Sequence, residues 1–351
     1  MADLVVAGAG MAGLVAAAEA RGRRADVLVL EKLDRPGGSM ALSSGVVWRY
    51  RDLERFRAEC PGGDPELQAA VFERLDGDLG WLEELGAPVL ERSTGNPLTV
   101  GMRFDAPGIR DALLRAGGEV RLESSLGELP DDVPVVLATG GFAANRDLVR
   151  RHVTPEADHL LLRAAPGSTG EGLRLGLAAG AEASPGLDQI YGRNMPAASI
   201  DPRDFVPLVQ LYAHHADIRN ARGERYEARA WSEVDVVQWT ARQPGARAWF
   251  TVAREALATE VRGRAVGDMV AAAEAAGAPV ERRDGSVTVE TVAGITTTLG
   301  GLRIDASARA APGIYAAGAD AGGIATGGYS SGLASALVFG RIAAGSALEG
   351  R

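Results

Sequence analysis

Residues 4–31 restrict the fold of this chain more than any other stretch. Leu4, Val5, Val6 and Ala7 form a short apolar run, followed by GAGMAG at Gly8 to Gly13 and an alanine-rich segment to Arg21. A second apolar run, Val27 to Leu30, ends at Glu31. The order reads strand, tight turn, helix, strand. In such a unit Gly8 makes the turn, Gly10 lets a pyrophosphate approach the backbone, and Gly13 lets helix and strand close together. Met11 and Ala12 sit inside the same loop and are counted with it as cofactor-binding. The helix N-terminus offers unpaired N–H groups and a positive dipole end to a phosphate. Glu31 falls about 20 residues beyond the glycines, where an acid accepts hydrogen bonds from ribose hydroxyls. Strand, helix, second strand and acid in register make a dinucleotide site the expected reading.

The 351 residues have room for one large α/β domain and an inserted one. A net charge of -9 without any basic stripe argues against a nucleic-acid partner. Cys60 is the only cysteine, which excludes internal disulfides and cysteine-held clusters; no metal site is expected. The first strand begins within a few residues of Met1, so no signal peptide is expected. No apolar run approaches the roughly 20 residues of a membrane span. A cytoplasmic protein is the expectation.

Beyond Glu31 comes LDRPGGSMALSSGVVW, residues 33–48. Its small residues Gly37, Gly38, Ser39, Ser43, Ser44 and Gly45 can wrap a bulky flat cofactor with backbone N–H groups. NAD proteins do not need such a loop, whereas FAD proteins must hold the isoalloxazine too. Residues 64–86 read as two helices, with Asp64 as N-cap, Pro65 at the first helical position and Gly86 as the stop. Trp81 reads as core. Residues 107–116 form another candidate helix and 119–122 a short strand. The strand in VPVVLATGGF, residues 133–142, breaks into Thr139, Gly140 and Gly141. A glycine-rich turn at 167–170 opens a helix, with Thr169 as candidate cap and Glu171 in its first turn. Residues 188–291 differ in character: they hold three of the five tryptophans and the pair His214, His215, and lack Gly–Ala fingerprints. They are read as an insert between a first part, 1–187, and a return segment, 292–351, which closes with a helix from Gly332.

The ordered blocks VVAGAGMAG, Glu31, PGGSMALSSGVVW, WLEELGAP, VVLATGGFAAN, STGEGLRLGLAAGA, NARGERY, TTTLGGLRID, IYAAGADAGG and the closing helix resemble the flavoprotein family of fumarate reductase, succinate dehydrogenase and the 3-ketosteroid dehydrogenases. The resemblance implies an α/β, Rossmann-like FAD-binding domain of glutathione-reductase type, carrying an inserted α+β capping domain. It implies hydride transfer at flavin N5 that makes or reduces a C=C bond. Carried over one by one, Gly8, Gly10, Gly13 and Glu31 hold the ADP half. Lys32, Gly38, Ser39, Ser43, Ser44 and Gly45 line pyrophosphate and flavin. Thr139 and Gly140 lie on the adenosine side, and Gly318 and Asp320 approach ribityl and pyrophosphate. Gly332, Leu333 and Ala334 place N–H groups at flavin N1 and O2, where a helix N-terminus stabilises the charge of the reduced ring. Covalent members attach flavin through a histidine near Ser43–Gly45. None precedes His152 here, so FAD is expected to be non-covalent.

The departures are as informative. Where fumarate reductases carry a histidine pair, this chain has Thr296 and Thr297. The position of their catalytic arginine matches Glu233, and their substrate-binding arginine falls in Tyr329–Ser331. A tyrosine before the closing helix, here Tyr329, polarises the substrate ketone in ketosteroid dehydrogenases; the plain alternative is a packing residue with a satisfied hydroxyl. Arg225, Arg229 and His214 stand as substitute acids. Tyr329 and Arg225 are the catalytic candidates. The implied function is that of an FAD-dependent dehydrogenase or reductase acting on CH–CH groups, a ketone desaturase or an enone or enoate reductase. The alternatives are a fumarate-reductase-like enoate reductase with an arginine proton donor and a flavin-binding protein without turnover. The implied partners are a small-molecule substrate and an external electron acceptor or donor, since no second GxGxxG marks a nicotinamide site.

Overall fold

A computed structural model describes residues 2–227 and 233–349. The chain divides into two compact units. The first comprises the chain up to Asn145, Ala164–Gln189, and Thr297 onward; the second comprises Arg146–Arg163 and Ile190–Thr296.

The first unit is built on a six-stranded sheet. Its centre is β1 (Leu4–Ala7), flanked by β2 (Val27–Leu30) and by the strand Val135–Leu137, both parallel to it. Beyond β2 lies Val120–Arg121, and beyond Val135–Leu137 lie Ile314–Ala316 and the antiparallel edge strand Arg309–Ala311. β1 is buried throughout, as its unbroken apolar run requires of a strand covered on both faces. α1 (Met11–Gly22) packs against the closing helix Gly332–Glu349 and against Ala106–Gly117. Small residues allow this closeness: a methyl at Gly340 would reach within 2.7 Å of the Ala12 carbonyl, and one at Gly117 within 3.1 Å of Ala17 and Ala18. This is the Rossmann-like α/β architecture expected from the fingerprint.

A three-stranded antiparallel sheet of β3 (Val46–Tyr50), Thr99–Phe104 and Val89–Glu91 belongs to the same unit. α2 (Leu53–Glu59) follows β3. α3 (Pro65–Glu84) is one continuous helix of 20 residues, where the sequence suggested two. Asp64 caps it, accepting from the N–H groups of Glu66 and Leu67. Gly77 and Gly80 face open space and do not break it, because the stripe Leu67, Val71, Leu75, Leu79 and Leu82 is buried through both halves. Trp81 is half-buried rather than core, and the Arg341 guanidinium lies 4.5 Å above its ring. Arg341 also reaches Glu19 Oε2 at 2.8 Å and Asp78 Oδ1 at 2.5 Å, tying α1, α3 and the closing helix together.

The second unit contains the antiparallel sheet Ala216–Arg219, Arg247–Ala253, Ser286–Thr298, Val280–Arg283. Phe250, Val252, Val287 and Val289 pack with Met269 and Val270 of the helix Val266–Ala275 in its core. Two boundaries differ from those read in the sequence. Leu161–Leu162 pairs in parallel with Gly294–Ile295, which draws Arg146–Arg163 into this unit. The strand Ser286–Thr298 runs unbroken through residue 291, so the change of unit falls at 296. No described helix is long and apolar enough to cross a membrane.

Candidate functional site

The fingerprint glycines divide their labour. Gly8 has φ +104°, and a Cβ there would press into the Ala138 carbonyl; one at Gly13 would press into the carbonyl of Gly8. Both are therefore demanded by packing. Gly10 alone of the three faces open space. It is the N-cap of α1, which has no side-chain cap and no acidic residue in its first turn. Uncapped N–H groups beside a bare glycine form the local chemistry of an anion site. Met11 and Ala12 are buried, so they can offer only backbone. Gly38 borders Gly10, since a Cβ on Gly38 would lie 3.2 Å from the Gly10 Cα. Gly318, with φ +66°, sits against the Ala12 methyl.

Glu31 is 8% exposed. Oε2 accepts from the Ala9 N–H at 2.8 Å and Oε1 from the Leu33 N–H at 2.9 Å. The carboxylate is thus fixed from two sides, and each oxygen retains a second lone pair for a hydroxyl. Lys32 is differently engaged: Nζ donates to Thr169 Oγ1 at 2.6 Å and lies 3.4 Å from Glu171. Thr169 is accordingly not the cap of the following helix, whose N-cap is Gly170 without a side-chain bond.

The serine loop is largely tied into the fold. Ser39 Oγ accepts from the Ala165 N–H at 2.9 Å and Ser43 Oγ from the Gly45 N–H at 3.1 Å; Ser44 is exposed. Gly45 has φ +71°, and a Cβ there would strike the Phe104 carbonyl, so the adjoining strand alone accounts for it.

Asp320 needs a correction. It is 0% exposed and offers no surface to a ribityl chain or a pyrophosphate. Its carboxylate accepts from the Thr139 N–H, from the Thr139 hydroxyl at 2.8 Å and from the Gly141 N–H at 3.1 Å. Burial pushes its pKa up, against the pull of those donors. The Thr139 hydroxyl also accepts from the Gly172 N–H at 2.9 Å. Thr139, Gly140 and Gly141 therefore bend around an acid of the chain itself. Gly140, at φ +94°, is half-buried at this turn.

The closing helix begins at Gly332, which is exposed with nothing near its missing side chain. Leu333 is half-buried. Ala334 is fully buried and its N–H goes to Ser331 Oγ at 3.3 Å, which corrects its reading as a flavin donor. Tyr329 is half-buried, with its phenol oxygen at a long 3.5 Å from the Gly332 N–H and its ring edge-on to Trp48.

Arg225 also departs from expectation. Its side chain is 63% exposed and pairs with Asp217 at 2.7 Å, an acid that Arg219 shares at 2.9 Å. That is a surface ion pair of ordinary kind. Arg229 lies outside the described residues. His214 sits in the short turn Ala213–His215.

Two buried charged groups of the second unit stand out, Arg163, which no sequence motif marks, and Glu233, at the position of the family's catalytic arginine. Arg163 is buried and donates to Thr296 Oγ1 at 2.9 Å. Glu233 is 5% exposed at φ +58° and accepts from the Ala213 N–H at 2.9 Å. Burial pushes its pKa up, while the charges of Arg193 and Arg262 pull it down. Arg163 is buried where its N–H donates to the Ile295 carbonyl at 2.8 Å, a pairing distant in sequence that no local pattern announces.

The chain matches the family described as FAD binding domain over residues 3–108 and 116–335. It is 26% identical over 225 residues to the NADH:fumarate oxidoreductase of Klebsiella pneumoniae (strain 342), a stretch covering 49% of this chain and 24% of that relative. The matched stretch thus spans about a quarter of that protein. Among solved structures, the open conformation of a flavocytochrome c3 fumarate reductase superposes with a TM-score of 0.73 at 21% identity, covering 99% of this chain and 78% of the other. The 3-ketosteroid-delta4-(5alpha)-dehydrogenase from Rhodococcus jostii RHA1 gives 0.73 at 20%, covering 99% and 96%. The 3-ketosteroid delta1-dehydrogenase from Sterolibacterium denitrificans gives 0.75 at 16%, covering 100% of both chains. These structures share the fold. The uncapped turn at Gly10 and the fixed carboxylate of Glu31 fit the ADP half of FAD, and with the match spanning both, the chain belongs to the FAD binding domain family and binds FAD.

Proposed function

We propose that the protein is an FAD-dependent oxidoreductase that makes or reduces a C=C bond next to a carbonyl group. The observation that carries this reading is the pairing of a half-buried Tyr329 phenol with the open first turn of the closing helix at Gly332. FAD, when bound, supplies the two-electron centre that exchanges hydride with carbon. Gly332 and Leu333, in the first turn of the closing helix, would hold the flavin through backbone N–H groups. The Tyr329 hydroxyl donates a hydrogen bond to the substrate oxygen, and that bond strengthens as negative charge develops there. The electrons pass to or from an external small-molecule partner. The test is anaerobic reduction of the flavin followed by reoxidation with cyclic enones and, separately, with fumarate. Reoxidation by enones is expected; reoxidation by fumarate alone would replace this with the enoate-reductase alternative and remove Tyr329 as donor to a ketone, and reoxidation by neither overturns the reading. Acid precipitation is expected to leave the pellet colourless, because FAD is held without a covalent bond; a yellow pellet refutes this.

Glu31→Ala is expected to weaken FAD binding by roughly 1.5–3 kcal/mol, the worth of a hydrogen bond to a charged group. The variant also strands the N–H groups of Ala9 and Leu33. Flavin retained after dialysis reports the effect. Retention equal to the parent would remove Glu31 from the adenosine site.

A further inference from the structure

We propose that Tyr50 is the positioning residue of Tyr329, holding its backbone so that the phenol keeps one orientation; this rests on the reading of Tyr329 given above. The segment Thr326–Ser331 lies along residues 46–62. The Gly62 N–H donates to the Thr326 carbonyl at 3.0 Å, and the Ser331 hydroxyl reaches the Val46 carbonyl at 3.5 Å. Gly328 has no room for a Cβ against the Glu59 carbonyl and would bring one within 3.1 Å of Cys60 Sγ. One bond of this seam lands on Tyr329 itself: the Tyr50 hydroxyl donates to its carbonyl at 2.8 Å.

β3 makes that bond rigid. Trp48 and Tyr50 are two residues apart on one strand, so their side chains leave the same face. Tyr50 is 1% exposed, with its ring 5.3 Å from Phe56 and 5.4 Å from Trp48. Trp48 in turn meets the Tyr329 ring edge-on at 5.9 Å and 67°. One strand therefore fixes Tyr329 twice, at its carbonyl through Tyr50 and at its ring through Trp48. Cys60, beside both tyrosines, has its pKa pushed up to about 12, chiefly by burial, and stays a neutral thiol. Reacting groups lose rate steeply when displaced by about 1 Å, so a hydrogen bond that never touches substrate can still govern turnover.

The test compares Tyr50→Phe, Tyr329→Phe and the double variant as FAD-loaded proteins. Turnover is read with the enone that reoxidises the flavin, and amide hydrogen exchange is read over residues 326–333. Tyr50→Phe keeps the ring and its packing. It is expected to raise exchange in that segment and to lower kcat by about 10-fold, what one net hydrogen bond is worth, with KM and flavin content near parental. The double variant is expected to match Tyr329→Phe alone, since a residue acting through another adds nothing once that other is gone. Unchanged exchange in Tyr50→Phe, or losses that multiply in the double variant, would overturn the positioning role and leave the Tyr329 reading intact. Parental turnover in Tyr329→Phe would instead overturn that reading, and this role with it.

Discussion

Tyr329→Phe is expected to lower turnover by about 10²–10³-fold, the usual effect of removing one donor aimed at a developing oxyanion. The substitution deletes an oxygen and keeps the ring, so the edge-on contact with Trp48 at 5.9 Å survives. The backbone bond from Tyr50 survives as well, because it ends on the carbonyl of residue 329. Flavin content and spectrum should therefore stay parental while kcat and kcat/KM fall together, which marks an interaction made only in the transition state. The phenol oxygen lies 3.5 Å from the Gly332 N–H, too long for that contact to hold the helix turn in place. A KM rise at constant kcat would show that the hydroxyl contributes uniform binding only. Near-parental kinetics would return Tyr329 to packing and shift the search for an acid to the second unit.

The largest expected effect on stability is at Arg341. Arg341→Leu should cost about 3–5 kcal/mol, the penalty for breaking a buried ion pair from one side. Its partners explain why. The Asp78 side chain is 4% exposed and that of Glu19 is 11% exposed. Leucine leaves both acids in place and removes the cation above Trp81. Arg74 remains near Asp78, but at 3.9 Å and with its side chain 48% exposed. Burial already pushes the Asp78 pKa up. Without Arg341 the folded protein takes up that proton more readily than the unfolded chain does. The variant therefore recovers stability as pH falls, and the gap to the parent narrows from pH ~7 to pH ~5. Urea midpoints at the two pH values measure this. A loss under about 1 kcal/mol, or a gap that widens on acidification, would show that Arg341 does not neutralise Asp78.

What could be read from the chain follows the reach of each interaction. β1, α1 and β2 were legible because glycine spacing, apolar runs and a terminal acid all lie within one local unit. The start of the closing helix at Gly332 was legible for the same reason. The break expected inside α3 was misjudged: two glycines weaken a helix by about 1 kcal/mol each, less than the buried stripe on either side of them supplies. Asp320 was placed at the cofactor because its family position is cofactor-proximal. Its partners Thr139 and Gly141 come from a strand end far away in sequence, and only the fold brings them to the carboxylate. Arg225 drew attention by its motif, yet its pairing with Asp217 depends on a strand register that no spacing reveals. Arg163 was missed, and Glu233 was noted only by its motif position, because burial of a charge is a tertiary outcome.

The enclosure of Asp320 also limits how this chain can change. Its carboxylate occupies the space a methyl group would need at Gly172. It also satisfies donors at Thr139 and Gly141, so the effects of substitutions at 139, 141, 172 and 320 are coupled. Alanine is barred at 172 while an acid stands at 320. A longer acid at 320 is barred until the backbone at 172 has moved away. A side chain at 172 therefore becomes possible only after the residue at 320 has been shortened, so the order in which these positions change matters.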